Sequence, residues 1–323
     1  MHKDLLTVFL QKNPNFKTTM DIDYADFGAI NPRHLEGNLF SHTMMTVKEM
    51  SKISDSHIDF YASVLHDCGK PFSQTFKNSF QNINGLSFFC AMKYLIKHKI
   101  SSDDIIKIMI IIGASQEVRE EEESKLHLKI SGFNEEIQKS IINLAWANEM
   151  GRISSKKLLH QPVDPKLFFP VGSRGMAKKN GSITFLMGLP GSGKSNWAKK
   201  QTEKHIIINS EHVISNLGVG DNYAQKWESI YSNQEKRNLF FKITKEQIIR
   251  GHLLEKDLIL DVGVMSKEMR APFLKVADEF SLKKKALVFG EDVTTSENRS
   301  DLEIVHKFNF PLYDEFHEVK VYL

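Results

Sequence analysis

The chain has only two cysteines, Cys68 and Cys90, in 323 residues. That is too few for a disulfide framework or a thiolate zinc site, and it favours a reducing, cytoplasmic setting. Long apolar runs are also missing. The longest, around Ile108 to Ala114, falls far short of the roughly 18 to 20 residues that cross a bilayer, so no membrane partner is expected. At the N-terminus Lys3 and Asp4 precede only the short run Leu5 to Leu10 with no small-residue cleavage site behind it, and no secretory signal is read there. Charge of one sign is scarce as well: 43 Lys+Arg against 40 Asp+Glu leave +3. So small a charge implies a nucleic-acid partner only if basic residues gather locally, for example near Lys178, Lys179 and Lys283 to Lys285. What is plentiful is apolar bulk, 41% of residues with 22 Phe, enough to offset chain entropy and exclude disorder. At about 100 to 200 residues per domain, the length suggests two domains.

The stretch Val171 to Ser182 (VGSRGMAKKNGS) is rich in Gly, Ser and charge and reads as an exposed connection. The expected division is therefore 1–172, a linker at 173–182, and 183–323. Before the seam, apolar residues recur at spacings of three and four, as at Phe40, Met44, Val47 and Met50, so this half reads as all helical. After it, short apolar runs at Ile183 to Met187, Ile206 to Ile208, Leu258 to Leu260, Ala286 to Phe289 and Val319 to Leu323 alternate with longer amphipathic ones. That rhythm predicts an α/β domain, a parallel sheet with crossover helices. No internal repeat is evident, and the run Glu120 to Glu123 reads as a solvated loop or helix end.

Gly188-Leu189-Pro190-Gly191-Ser192-Gly193-Lys194-Ser195 fits G-x-x-x-x-G-K-[ST] between an apolar strand and a helical stretch. Glycines let successive backbone N–H groups surround phosphate oxygens; Lys194 would reach the outer phosphates of ATP and the Ser195 hydroxyl would ligate Mg²⁺. A kinase also needs a base for the acceptor hydroxyl and cations for the phosphoryl group in flight. Glu211 follows the second strand, Asp261 ends the third, and Arg299 lies in Thr294 to Arg299 after the fourth, where a lid could present it. Read without chemistry, these are a surface acid, a strand-end cap and a solvated arginine.

These segments resemble the phage-type 5′-hydroxyl polynucleotide kinases among small P-loop kinases: GLPGSGKSNWAKK in the cradle, INSEHVI as the base segment, DVGVMSKEMR, and the closing NFPLYDEFHEVKVY. The resemblance implies Glu211 as base for a 5′-hydroxyl, Asp261 in acceptor or metal positioning, and Arg299 as lid arginine. It departs from the family at Glu211 (usually Asp), Ile214 (usually Arg) and Val264 (usually polar), which leaves the acceptor open.

In the first half His42 and the pair His66-Asp67 are residue types that ligate a catalytic divalent metal. The wider pattern His34…Glu36-Gly37…His42-Thr43…His66-Asp67-x-Gly69-Lys70-Pro71 resembles the HD phosphohydrolases, all-helical metal-dependent phosphoesterases, and the whole layout is similar to HD-type polynucleotide kinases that heal broken RNA ends. That implies a Mn, Ni or Co ion and a 2′,3′-phosphatase activity, in a phage or its bacterial host. Later family histidines would align near Ile83 and Gly113, and the closing metal-binding Asp is Asn148. Amide oxygen can ligate but brings no charge, so weaker affinity is expected. Three readings follow: an ATP- and Mg²⁺-dependent kinase acting on RNA or DNA ends, a kinase for another hydroxyl such as a modified base or small metabolite, and a non-catalytic ATP-dependent nucleic-acid-binding protein.

Overall fold

Polar caps and apolar stripes set the helices of the first half. The Asn38, Ser101 and Asn134 side chains each accept from a backbone N–H three residues on, and that of Ser56 accepts from the Ile58 N–H. In the computed structural model, which describes residues 2–24, 34–72, 84–119, 121, 123–155, 162–168, 170, 181–189, 191–221, 223–290 and 308–323, these caps open α3 (Leu39–Met50), α6 (Ser102–Val118), α8 (Glu135–Met150) and α4 (His57–Leu65). The same half holds α1 (His2–Lys12), α2 (Phe16–Met20), α5 (Asn84–Lys97) and α7 (Glu123–Ile130). Helix α6 packs on α4, α5 and α8, while α3 packs on α4 and α8. Every residue of α4 after His57 is buried, including Asp59, whose carboxylate accepts from the Asn143 amide at 2.9 Å. Among the described residues no helix is long and apolar enough to cross a membrane.

The chain divides into two units, one of Met1–Arg174, Gly290–Asp314 and Leu323, the other of Gly175–Phe289 and Glu315–Tyr322. A linear reading puts residues 308–314 with the second half, yet they complete the helical core. Phe308 packs on Phe88 and Phe89, and Phe310 on Phe88. Phe310 also lies over Gly113, where an added Cβ would stand 2.7 Å from its ring. Tyr313 lies over Gly132 and donates its N–H to the Lys129 carbonyl at 3.0 Å.

The second unit is a five-stranded, all-parallel sheet of β1 (Ser182–Met187), β2 (His205–Asn209), β3 (Asp257–Asp261), β4 (Lys283–Phe289) and β5 (Glu318–Tyr322), in the order β2-β3-β1-β4-β5. Its helices are α9 (Lys194–Lys199), α10 (Ser210–Leu217), α11 (Tyr223–Tyr231), α12 (Gln234–Leu253) and α13 (Lys267–Glu279). The central strand β1 is buried along its whole length, as expected for a parallel sheet covered on both faces. Arg270 on α13 is fully buried and meets Glu315 through two hydrogen bonds, 2.8 and 2.6 Å, so the arginine of the DVGVMSKEMR segment braces the fold. Lys283 to Lys285 lie away from the phosphate loop. They start β4, level with the first residues of β1 at the far end of the sheet, and Lys283 and Lys284 are paired with Glu318 and Asp278.

Candidate functional site

In the second unit the strand-loop-helix sequence is realised between β1 and α9. Gly188 has φ +145° and Gly193, the residue before α9, φ +85°, values that side chains with a Cβ rarely adopt. A Cβ on Gly188 would also come within 2.9 Å of Phe289. Lys194 Nζ donates to the Gly188 carbonyl at 2.9 Å, to Ser192 Oγ at 3.3 Å and to the Leu189 carbonyl, so its ammonium lies within the loop it is expected to serve. Ser195 Oγ donates to Asp261 Oδ2 at 2.7 Å, across 66 positions of sequence. Parallel pairing explains the meeting: β3 lies beside β1 with Leu260 level with Phe185, which brings Asp261 to the mouth of the loop. A hydroxyl and a carboxylate so placed are the donor set Mg²⁺ takes in a P-loop, so the residues fit that ion. Trp197 packs on the sheet against Phe289, centroids 6.1 Å apart.

Glu211 stands exposed in the first turn of α10, after β2, and its N–H donates to Asn209 Oδ1 at 2.6 Å. Asn209 is level with Asp261 on the neighbouring strand, so Glu211 shares the loop's end of the sheet. Ile214 and Val264 are core residues, 0% and 1% exposed. Their departures from the kinase pattern are thus packing choices here. Pro190 and Arg299 lie outside the described residues, as do Ile83, Lys178 and Lys179.

In the helical unit, α3 supplies His42, the end of α4 supplies His66-Asp67, and the end of α8 supplies Asn148. All four are buried, and their tips converge. His42 Nε2 is 3.1 Å from Asn148 Oδ1, 3.3 Å from His66 Nε2 and 3.6 Å from Asp67 Oδ2, while His66 Nε2 is 3.2 Å from Asp67 Oδ2. The far ring nitrogens face oxygens that can only accept: His66 Nδ1 the Ser63 carbonyl at 2.8 Å, His42 Nδ1 the Gly151 carbonyl and Glu36 Oε1, each at 3.2 Å. In the tautomer with the proton on Nδ1, the two Nε2 atoms present lone pairs to each other, that of His42 also to Asn148 Oδ1 and Asp67 Oδ2 and that of His66 to Asp67 Oδ2. Three such atoms, His42 Nε2, His66 Nε2 and Asp67 Oδ2, within 3.6 Å of one another suit a cation bound at the roughly 2.0 to 2.2 Å usual for nitrogen and oxygen ligands. His42, His66 and Asp67 therefore fit a divalent metal, with Asn148 as an uncharged fourth donor.

Two cations border this cluster. Lys70 Nζ lies 2.6 Å from Asp67 Oδ2, and Arg152 donates to Asn148 Oδ1 at 3.3 and 3.1 Å. Burial alone would raise the Asp67 carboxyl, but the positive charge beside it, His66 when that ring is protonated and Lys70, holds it well below the usual range. Burial lowers His42 to about 3 and His34 to about 4, in each case against the raising influence of Glu36. The cations and Gln116, which donates to the His66 carbonyl at 2.8 Å, carry no assigned role in the sequence reading. Arg152 had a signal, since it follows Asn148 by four residues at a helix end; Gln116 had none.

A protein-family model described as an AAA domain matches residues 183–301. No curated protein matches the chain. The match covers the phosphate loop and strands β1 to β4 and supports a P-loop, nucleotide-binding fold there, following a helical N-terminal region.

Proposed function

We propose that the protein is an ATP- and Mg²⁺-dependent kinase for the 5′-hydroxyl of RNA or DNA ends, joined to a metal-dependent HD-type phosphoesterase that acts on 2′,3′-phosphates. The observation that carries the kinase reading is the phosphate loop whose Ser195 hydroxyl meets Asp261 at 2.7 Å. In this reading the backbone of residues 188–195 and Lys194 hold the β- and γ-phosphates, Ser195 and Asp261 hold Mg²⁺, Glu211 takes the proton of the acceptor hydroxyl, and Arg299 closes on the phosphates. Mg²⁺ offsets charge on the phosphate oxygens when bound. Orientation and electrostatics then provide most of the rate, because phosphoryl transfer asks for little covalent chemistry from the protein. Lys194→Ala is expected to lower transfer by roughly 10²–10³, the range for losing one preorganised charge-stabilising contact. Unchanged labelling of 5′-hydroxyl oligonucleotides by that variant would overturn the assignment.

The phosphoesterase reading rests on the four converging acceptors. His42, His66, Asp67 and Asn148 would hold a Mn, Ni or Co ion, which supplies Lewis acidity and an activated water. Lys70, the part-buried cation beside Asp67, would orient the phosphate oxygens. The reading fails if the purified chain neither carries nor takes up such an ion.

A further inference from the structure

We propose that Glu36 is the positioning residue of the helical centre, holding His42 with Nδ1 protonated so that its Nε2 lone pair is directed at the ligand cluster. The proposal rests on the reading of that cluster as a metal centre.

Glu36 lies outside the converging tips, and its side chain is 1% exposed. A buried carboxylate is costly unless it is hydrogen-bonded. Glu36 accepts from His34 Nδ1 at 2.7 Å on Oε1 and from the Ile153 backbone N–H at 3.2 Å on Oε2, and its Oε1 lies 3.2 Å from His42 Nδ1.

The local chain explains how it arrives there. Gly37 turns with φ +96°, Asn38 caps α3, and His42 follows in the first turns of that helix. His34 is held from the other side by its ring, which stacks on Tyr24 at 4.1 Å and 15°. A supported line of contacts thus runs from Tyr24 through His34 and Glu36 to His42.

The Gly151 carbonyl also faces His42 Nδ1, but it carries no charge. A carboxylate behind an imidazole fixes the tautomer and raises the basicity of the far nitrogen, and losing such a partner typically costs 10–100-fold in metal affinity. Read as a second ligand set, His34, Glu36 and His42 would need both Nδ1 atoms stripped of their protons. The 2.7 Å separation of His34 from Glu36 is an ordinary hydrogen bond.

The test uses the full chain, stripped of metal and titrated with Co²⁺ against a competing chelator. Long-range ¹H–¹⁵N correlation of the His42 ring is recorded on the metal-free protein. Wild type is expected to show Nδ1–H with an unprotonated Nε2. Glu36→Gln is expected to lose at least tenfold in Co²⁺ affinity while its thermal midpoint stays near that of wild type, and Glu36→Asp to recover part of the loss. Equal Co²⁺ affinity in Glu36→Gln overturns the proposal while leaving the metal reading standing. An Nε2–H tautomer in wild type overturns it without any variant. If wild type itself takes up no ion, the metal reading falls and this proposal falls with it.

Discussion

Asp261 meets Ser195 because two strand ends are neighbours, and the residue is 6% exposed. Asp261→Asn keeps the shape and removes the charge. It is expected to raise the Mg²⁺ concentration needed for half-maximal phosphoryl transfer by about tenfold, with little change in the melting temperature; an unchanged Mg²⁺ curve would exclude Asp261 from the ion's surroundings. In the helical unit the pH dependence follows from His42 and His34, whose folded-state values near 3 and 4 lie below the ordinary 6.5. Between those values and 6.5 the unfolded chain binds protons that the folded chain refuses. The contribution of these two rings to stability is therefore complete above about pH 6.5 and is lost progressively as pH falls toward 4 and then 3. Chemical denaturation at pH 7.0, 5.5 and 4.5, in the presence of a chelator, should show the decline, and a flat profile would contradict it. At this scale the phosphate loop was legible because strand, glycines, Lys194 and Ser195 are contiguous in sequence. The setting of Asn148 was not: its replacement of a carboxylate is visible, but its contacts to His42, 106 positions away, and to Arg152 are made in three dimensions.

The elements carry their own lessons. Arg270 on α13 is fully buried against Glu315, and removing one partner of such a pair typically costs about 3 to 5 kcal/mol, since the other charge then lacks its counter-ion in the interior. Glu315→Ala should lower stability by that order. Arg270→Met with Glu315→Leu should recover most of it, and equal losses in single and double variants would show that the pairing is not the cause. Similarly, Phe310→Ala should destabilise the helical unit by about 3 to 5 kcal/mol, the usual range for deleting a buried aromatic ring; a loss below about 1 kcal/mol would mean that the segment does not close the core. Hydropathy marks Phe308, Phe310 and Leu312 as apolar without saying which core they join. Gly113 and Gly132 likewise read as neutral helix and turn residues until Phe310 and Tyr313 are seen lying over them. Strand order was legible in kind, since short apolar runs separated by helices imply a parallel sheet. The neighbours of β1 were not, because periodicity has no access to pairing.

Across the molecule, the small net charge of +3 gave no partner, and Lys283 and Lys284 turn out to be neutralised by acids at the far end of the sheet. In the proposed reading the acceptor is recognised near the carboxyl ends of the strands, where Glu211, Asp261 and the phosphate loop share one end of the sheet. The measurement that tests this most directly is transfer from γ-labelled ATP by the full chain to a panel of a 5′-hydroxyl oligonucleotide, the same oligonucleotide already 5′-phosphorylated, and a nucleoside. Label is expected on the 5′-hydroxyl oligonucleotide alone, and not with Lys194→Ala. Label on the nucleoside but not the oligonucleotide, or transfer that survives loss of Lys194, would contradict the account.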